Sequence, residues 1–539
     1  MGRPEKAKLR SLPGSPNVLF PVGRYGGRLK SVEEAVKKGK IRVVTHNYFC
    51  DGCLTDSVYP YCEKCGSETK EKFYCYECNK KHDKLCEIHD RGRVVSNNEV
   101  NIEEYFRNSS KMLGGVGEFL ELIKGVDSLS SESRVPENLA KGILRAKYDL
   151  QVNKDGTIRM DATELPLVSF KSKEIGTSIK KLNELGYDKD INGKDLVDEN
   201  QIVELMPHDV LISDSDFSPD RKGGDVFTRI CNFVDDELRL LYKIEGIHNI
   251  KKKEDLIGQV GVCMAPHNCA GVVCRFIGFS QTLGLLASPY MHAAIRRDCD
   301  GDEAAIMLLS DVLLNFSREY LPSHRGGTQD APLVLNAKID AGEVDDQILD
   351  FEMLGNGGYP LELYELAERG EHSSKVGVLD VKGVLKDGKN PFSGYGFSHD
   401  TDSFNLGVNC SSYKIFPTMK DKLEHQMALC EKLRAADADD VARLVIERHF
   451  MGDIRGNFNK FLVQSFRCVD CNSIIRRPPL NGVCDRCGGK LIFTVNEGGI
   501  KKYLKLAKEL SIKYEVSSYL RENLNLLSEN IDSVFGVEE

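Results

Sequence analysis

Asp298-Cys299-Asp300-Gly301-Asp302 decides how this chain is read: carboxylates stand at every second position, with a glycine between the last two. In a tight loop, side chains at i, i+2 and i+4 can converge on one point. Converged carboxylates repel one another unless a cation sits among them. Oxygen-only ligation favours Mg²⁺ or Mn²⁺ over zinc. Ions held this way serve phosphoryl transfer by stabilising the attacking and leaving oxygens. Spacing alone fits a solvated acidic turn equally well. A calcium EF-hand starting at Asp298 is excluded, because it needs Gly and Glu where this chain has Glu303 and Leu309.

Outward from the loop, residues 303–321 carry apolar side chains at Ile306, Met307, Leu309, Val312, Leu313, Phe316 and Tyr320. That spacing predicts an amphipathic helix starting directly after the loop. Asp302 and Glu303 would then meet the positive end of its dipole. Arg296 and Arg297 stand just before the loop. Beside a metal loop they suit substrate phosphates, or they neutralise the aspartates; both readings stay open.

The 539 residues correspond to about three or four domains. A chain 41% hydrophobic and 29% charged is expected to be a soluble globular protein. It has no apolar run of the roughly 18 residues that a membrane helix needs. Its first residues lack the apolar core of a signal peptide, and a cytoplasmic protein is expected. The net charge of −9 argues against a protein that coats nucleic acid. It leaves room for a local basic channel.

Eleven of the 18 cysteines fall into CxxC-type clusters. In a chain without a secretion signal, this reads as zinc ligation rather than disulfides. Cys50, Cys53, Cys62 and Cys65 form two knuckles, enough for a closed, structural, four-thiolate site. Cys75, Cys78, Cys86 and His89 suit a second site, in which His82 competes as fourth ligand. Cys468, Cys471, Cys484 and Cys487 make a third, flanked by strand-like runs in the manner of a zinc ribbon. The other cysteines read as small buried hydrophobes. Cys263, Cys269 and Cys274 are badly spaced for a fourth site.

The expected organisation begins with a basic, Pro/Gly-rich entry segment at 1–40. Tandem zinc modules follow at 41–92, then a helical linker at 93–139, with a helix over 112–126. A β-rich domain with helical insertions is expected within 140–400: residues 140–345 alternate short apolar runs (143–152, 157–160, 271–277) with turn signals, and 346–420 are loop-rich. A helical insertion is expected at 179–185. A helical domain at 401–460, with one long helix from 420 to 450, leads to a zinc ribbon at 461–539. Tail helices are expected there at 500–513 and 517–530.

Several stretches, in one order, match a known family. They are Met1-Gly2-Arg3-Pro4-Glu5-Lys6-Ala7-Lys8, Lys141-Gly142-Ile143-Leu144-Arg145-Ala146-Lys147, Ala265-Pro266-His267 with Ala270-Gly271-Val272-Val273, and Arg296 through Glu303. Further on come His399-Asp400-Thr401-Asp402, Phe466-Arg467-Cys468, Arg476-Arg477-Pro478-Pro479 and Gly488-Gly489-Lys490. Over nearly its whole length the chain resembles the C-terminal half of the large, catalytic subunit of the archaeal family D DNA polymerase. The resemblance implies a mixed α+β multidomain protein with a double-psi β-barrel catalytic core of the RNA polymerase-like kind, helical insertions and three zinc-binding modules. It implies that Asp300 and Asp302 hold catalytic Mg²⁺. The family usually has Asn where this chain has Asp298, and the change restores the three-Asp spacing of the RNA polymerase loop. Asp298 therefore either binds metal or holds the loop.

The function expected is Mg²⁺-dependent DNA-directed DNA polymerisation, from dNTP to a primer 3′-hydroxyl on primer-template DNA. Arg296, Arg297, His267, Lys6 and Lys8 are candidates for phosphate contact. Expected partners are the N-terminal half of the large subunit, if the gene is split rather than the sequence truncated, and the small exonuclease subunit, docked at the C-terminal zinc module. A sliding clamp is a further candidate, although the family's clamp-binding peptide is not evident at residues 530–539. Two rival readings are a non-catalytic zinc-ribbon scaffold subunit and an RNA polymerase-like nucleotidyltransferase.

Overall fold

The computed structural model describes residues 5–536 except 130–131, 356–357, 373–374, 397–401 and 409. The stretch His399-Asp400-Thr401 and the first four residues lie outside the described set. The chain forms two compact units, residues 1–411 and 412–539.

The first unit is built on a closed six-stranded barrel. Its elements, in chain order, are β1 (Ala7–Leu9), α1 (Leu139–Lys147), β2 (Met160–Pro166), β3 (Asp209–Ser213), α2 (Gly223–Glu237), β4 (Val260–Met264), β5 (Ala270–Ser280), β6 (Leu285–Ala287), α3 (Pro289–Ala294), β7 (Glu303–Leu308), α4 (Leu309–Asn315) and β8 (Val334–Asn336). The ring runs β2–β6–β3–β5–β4–β7 and closes on β2. Within it β3 pairs parallel with β5, and β6 parallel with β2; the other pairings are antiparallel. Outside the ring, β1 pairs antiparallel with β2, and β8 runs parallel to β5. All five residues of β3, and β7 from Ala304 to Leu308, are buried. Burial on both faces is why these strands read as continuous apolar runs without alternation.

That burial explains the main departure from expectation. Residues 303–321 do not form one helix beginning at the acidic loop; the loop feeds strand β7, and helix starts only at Leu309. Glu303-Ala304-Ala305-Ile306-Met307-Leu308 is rich in helix formers. Pairing with β4 on one edge and β2 on the other overrides that preference. The helix-dipole role expected for Asp302 and Glu303 falls with it. Residues 139–147, read as part of a strand-rich run, are helix α1, capped by Asn138. The helix placed over 112–126 lies earlier, at Ile102–Met112, and stops before Gly114-Gly115. The insertion expected at 179–185 is a helix, Ile179–Glu184.

The second unit has helices Met419–Lys432, Ala438–Leu444 and Met451–Leu462, the last two joined by a π-helical turn at Val445–Phe450. The single helix expected over 420–450 is therefore broken. Asp437 ends the break as an N-cap, its carboxylate accepting from the Asp439 and Asp440 amides. Tail helices Leu504–Lys513 and Ser518–Phe535 pack around Leu423, Ile446, Ile454, Leu524 and Ile531. Among the described residues, no helix is long and apolar enough to cross a membrane.

Candidate metal centres

The acidic loop spans residues 295–302, between α3 and β7. Three of its residues adopt left-handed backbone: Arg296 at φ 64°, Cys299 at φ 62° and Gly301 at φ 91°. The loop is tied to the barrel by backbone hydrogen bonds. The Glu164 amide donates to the Asp302 carbonyl at 2.9 Å, and the Arg297 amide to the His292 carbonyl at 2.9 Å. The antiparallel register Glu303↔Thr163 continues that stitching into the barrel wall.

One carboxylate oxygen each from Glu164, Asp298 and Asp300 lies within 4.8 Å of the other two. Asp298 and Asp300 are exposed, whereas Glu164 is buried on β2. The donor set is all oxygen, with more than one negative charge and an open side, which suits Mg²⁺ or Mn²⁺. Asp302 is not part of this triad; its Oδ2 accepts from Arg297 Nη1 at 3.2 Å. Burial first, and then the Glu164, Asp298 and Asp300 carboxylates, push the Cys299 thiol up to about 12.

The cationic candidates divide. Arg297 is held on the loop by Asp302 and donates from Nη2 to the Pro266 carbonyl at 3.3 Å. That bond brings the β4–β5 turn, with exposed His267 at φ 66°, against the loop. Arg296 is exposed and donates to the Glu343 carbonyl at 3.3 Å. Lys6 is ion-paired with Glu303, and Lys8 is exposed on β1.

Sequence reasoning missed a cluster beside them. Arg10 bridges Asp161 at 2.7 Å and Asp330 at 2.7 Å, and reaches Glu303 at 3.5 Å. Burial raises the Asp161 carboxyl to about 6, against the Arg10 charge and helped by Glu303. Glu164 and His292 were missed too. An acid in a short strand looks like any solvent-facing residue until the barrel closes around it, so no local signal marked Glu164.

Three thiolate-rich groups also gather. Cys50, Cys53, Cys62 and Cys65 converge, with Cys50 and Cys65 Sγ 3.6 Å apart. The Cys53 amide donates to Cys50 Sγ at 3.4 Å, the turn of a knuckle. In the second group His89 Nδ1 lies 3.5 Å from Cys75 Sγ and 3.4 Å from Cys86 Sγ, and Cys78 completes the set. His82, which touches Cys78 Sγ at 3.4 Å, stands outside it. Cys468, Cys471, Cys484 and Cys487 form the third, on the small sheet of Phe466–Cys468, Ile474–Ile475 and Leu491–Phe493. These donor sets fit zinc.

Comparison with known proteins identifies the family. Residues 116–422 match the family model for "DNA polymerase II large subunit DP2, catalytic domain", and residues 1–84 match that for its central domain. The chain is 44% identical to the DNA polymerase II large subunit of Archaeoglobus fulgidus, over 99% of this chain and 47% of that protein. It is 40% identical to those of Nanoarchaeum equitans (100% of this chain, 46% of the relative) and Pyrococcus furiosus (99% and 42%). It thus spans a little under half the length of these curated relatives. A family model covering more than half the chain decides the matter: the chain belongs to the DNA polymerase II large subunit family, that of the archaeal family D DNA polymerases.

Proposed function

We propose that this chain carries the nucleotidyl-transfer centre of a DNA-directed DNA polymerase. The reaction is attack of a primer 3′-hydroxyl on the α-phosphate of a dNTP, with pyrophosphate leaving. The observation that carries the reading is the convergence of carboxylates from the acidic loop at the barrel wall, beside Arg297, in a chain of this family. The barrel is read as a double-psi barrel of the RNA polymerase-like kind. Its parallel pairs β3–β5 and β2–β6, within a ring otherwise antiparallel, support that reading.

Asp300 and Asp302 hold Mg²⁺ in this reading, Asp302 by exchanging its Arg297 contact for the cation, and Asp298 lies within reach of the same ion. Mg²⁺ there would activate the 3′-hydroxyl and stabilise the leaving pyrophosphate. Arg296, Lys8 and His267, all exposed, meet the phosphates of the DNA and the dNTP. Arg297 and Lys6 join them when substrate displaces their carboxylate partners. The thiolate groups hold three structural zinc ions that brace surfaces for duplex DNA and partners. The C-terminal one docks the small exonuclease subunit. Activity requires the portion of the relatives' length that this chain does not span.

Primer extension by the reconstituted polymerase tests the reading. Mg²⁺-dependent extension with deoxynucleotides is expected, reduced at least about 10²-fold by Asp300→Ala, the scale of removing one electrostatic transition-state stabiliser. Normal extension by that variant would sink the site assignment. Extension with ribonucleotides instead would favour an RNA polymerase-like enzyme, which the aspartate at 298 would suit. The isolated chain is expected to be inactive.

A further inference from the structure

The loop aspartates are only part of the acidic centre. Glu164 comes from β2, and its side chain is fully buried. Neither of its carboxylate oxygens has a hydrogen-bond partner. A buried carboxylate left this way is costly, and such groups are neutralised, paired or bound to metal. Two groups face it. One is His292 of α3, whose Nδ1 lies 3.2 Å from Glu164 Oε2. The other is the pair Asp298 and Asp300, whose oxygens lie within 4.8 Å of a Glu164 oxygen. Two exposed acids and one buried acid aimed at the same point repel one another, and one shared divalent cation would satisfy all three together.

The backbone fixes this arrangement. The Glu164 amide donates to the Asp302 carbonyl at 2.9 Å, so strand and loop are stitched at the residue that supplies the side chain. His292 Nε2 donates to the Leu165 carbonyl at 3.1 Å, which sets the ring from the same strand. That bond commits Nε2–H to the backbone, so Nδ1 donates to the carboxylate when the ring carries its second proton. Such outer groups orient metal ligands elsewhere. With Glu164 behind and the aspartates in front, the open side of the site faces solvent. Mg²⁺ sites of this kind take a few carboxylates and leave the remaining positions to water or substrate phosphate oxygens.

We propose that Glu164 is a direct ligand of the divalent cation that the acidic loop holds through Asp300, within reach of Asp298, with His292 as the residue that positions it. The proposal rests on the reading of the acidic loop as the catalytic cation site, and it adds a ligand from the barrel wall that the loop motif does not contain.

Mn²⁺ titration of the intact, zinc-loaded chain, followed by electron paramagnetic resonance, tests it without any turnover. The site is defined as the component of Mn²⁺ binding lost in Asp300→Ala. Glu164→Gln is expected to weaken that component about tenfold or more while thermal unfolding stays unchanged. If Glu164→Gln binds Mn²⁺ as the parent does and Asp300→Ala does not, the Glu164 proposal falls and the acidic-loop reading survives. If both variants bind as the parent does, both readings fall. Should Glu164→Gln fail to fold, anomalous scattering from Mn²⁺-soaked crystals of the parent chain decides. A Glu164 oxygen at about 2.0–2.2 Å from the ion is expected, and an ion held by Asp300 with water between it and Glu164 overturns the proposal.

Discussion

The thiolate groups and the carboxylate group solve opposite problems. Around Cys50, Cys53, Cys62 and Cys65 the supporting structure is a few two- and three-residue strands, such as Tyr48–Cys50 against Thr55–Ser57 and Lys70–Glu71. Such strands bury too little to stand alone. Zinc bound there would make the fold. Around Glu164, Asp298 and Asp300 the support is a closed barrel with buried side chains on both faces of its strands. There the fold itself sets the carboxylates in place. On the proposed function, one cation would be a structural member and the other a reagent brought to a prepared place.

Metal removal should separate the two most sharply. A strong zinc chelator should unfold the segments 48–71, 73–89 and 466–493, with a loss on the order of 10 kcal/mol of folding free energy for each. The strands at 260–308 should keep their protection. Removing Mg²⁺ alone should leave amide protection unchanged throughout. Hydrogen–deuterium exchange with peptide resolution reads both outcomes. Loss of protection in β4, β5 and β7 at the chelator concentration that frees 466–493 would break the contrast.

The next effect in size belongs to the barrel side. Asp311 is fully buried on α4; its Oδ2 accepts from the Ile158 amide at 2.7 Å and its Oδ1 from Asn315 Nδ2 at 2.9 Å. Burial lifts its carboxyl from 3.8 to about 7. The folded state therefore keeps the proton that the unfolded chain releases. Stability from this group is complete below about pH 4 and lost as pH rises to about 7, on the order of 4 kcal/mol in all. Asp311→Asn should flatten that fall. Asp161, raised to about 6, should leave a smaller slope of the same sign. Urea midpoints from pulse proteolysis at about pH 5 and about pH 8 check this; an unchanged slope in the variant would place the titration elsewhere. The thiolate modules, whose ligands must lose protons to bind zinc, should show the opposite trend.

The same contrast explains what could be read from the chain. All four ligands of each thiolate group lie close together in sequence, so spacing alone gave the sets. The choice between His82 and His89 needed the geometry. For the acidic centre, the loop was legible because three aspartates recur at spacing two. Glu164 was not, because its place beside the loop depends on β2 meeting β7 across the ring, and no local pattern encodes that pairing. The strand β7 was read as helix for the same reason: local preference pointed to helix, and the barrel decided otherwise. The break at Asp437 lay within reach, since an Asp followed by Ala438-Asp439-Asp440 is a capping signal inside an otherwise helical run.

A matched pair of glycines gives the smallest and finest test. Gly301 in the acidic loop has φ 91°, and Gly488 in the third thiolate group has φ 73°. A Cβ on Gly301 would meet nothing closer than Thr163 Cγ2 at 3.9 Å, and one on Gly488 would meet nothing within 4 Å. Neither alanine clashes, so both substitutions cost only backbone strain, about 1–2 kcal/mol. At Gly488 that strain is small beside the free energy of zinc binding, and Gly488→Ala should keep full zinc stoichiometry. At Gly301 it falls on a loop that must hold its aspartates before any cation arrives. Gly301→Ala should weaken Mn²⁺ binding about tenfold, because each 1.4 kcal/mol of lost preorganisation is a factor of ten. The barrel's unfolding should stay within about 1 kcal/mol of the parent. Mn²⁺ affinity unchanged in Gly301→Ala would mean that the cation organises the loop, and the acidic centre would then work like the thiolate groups rather than against them.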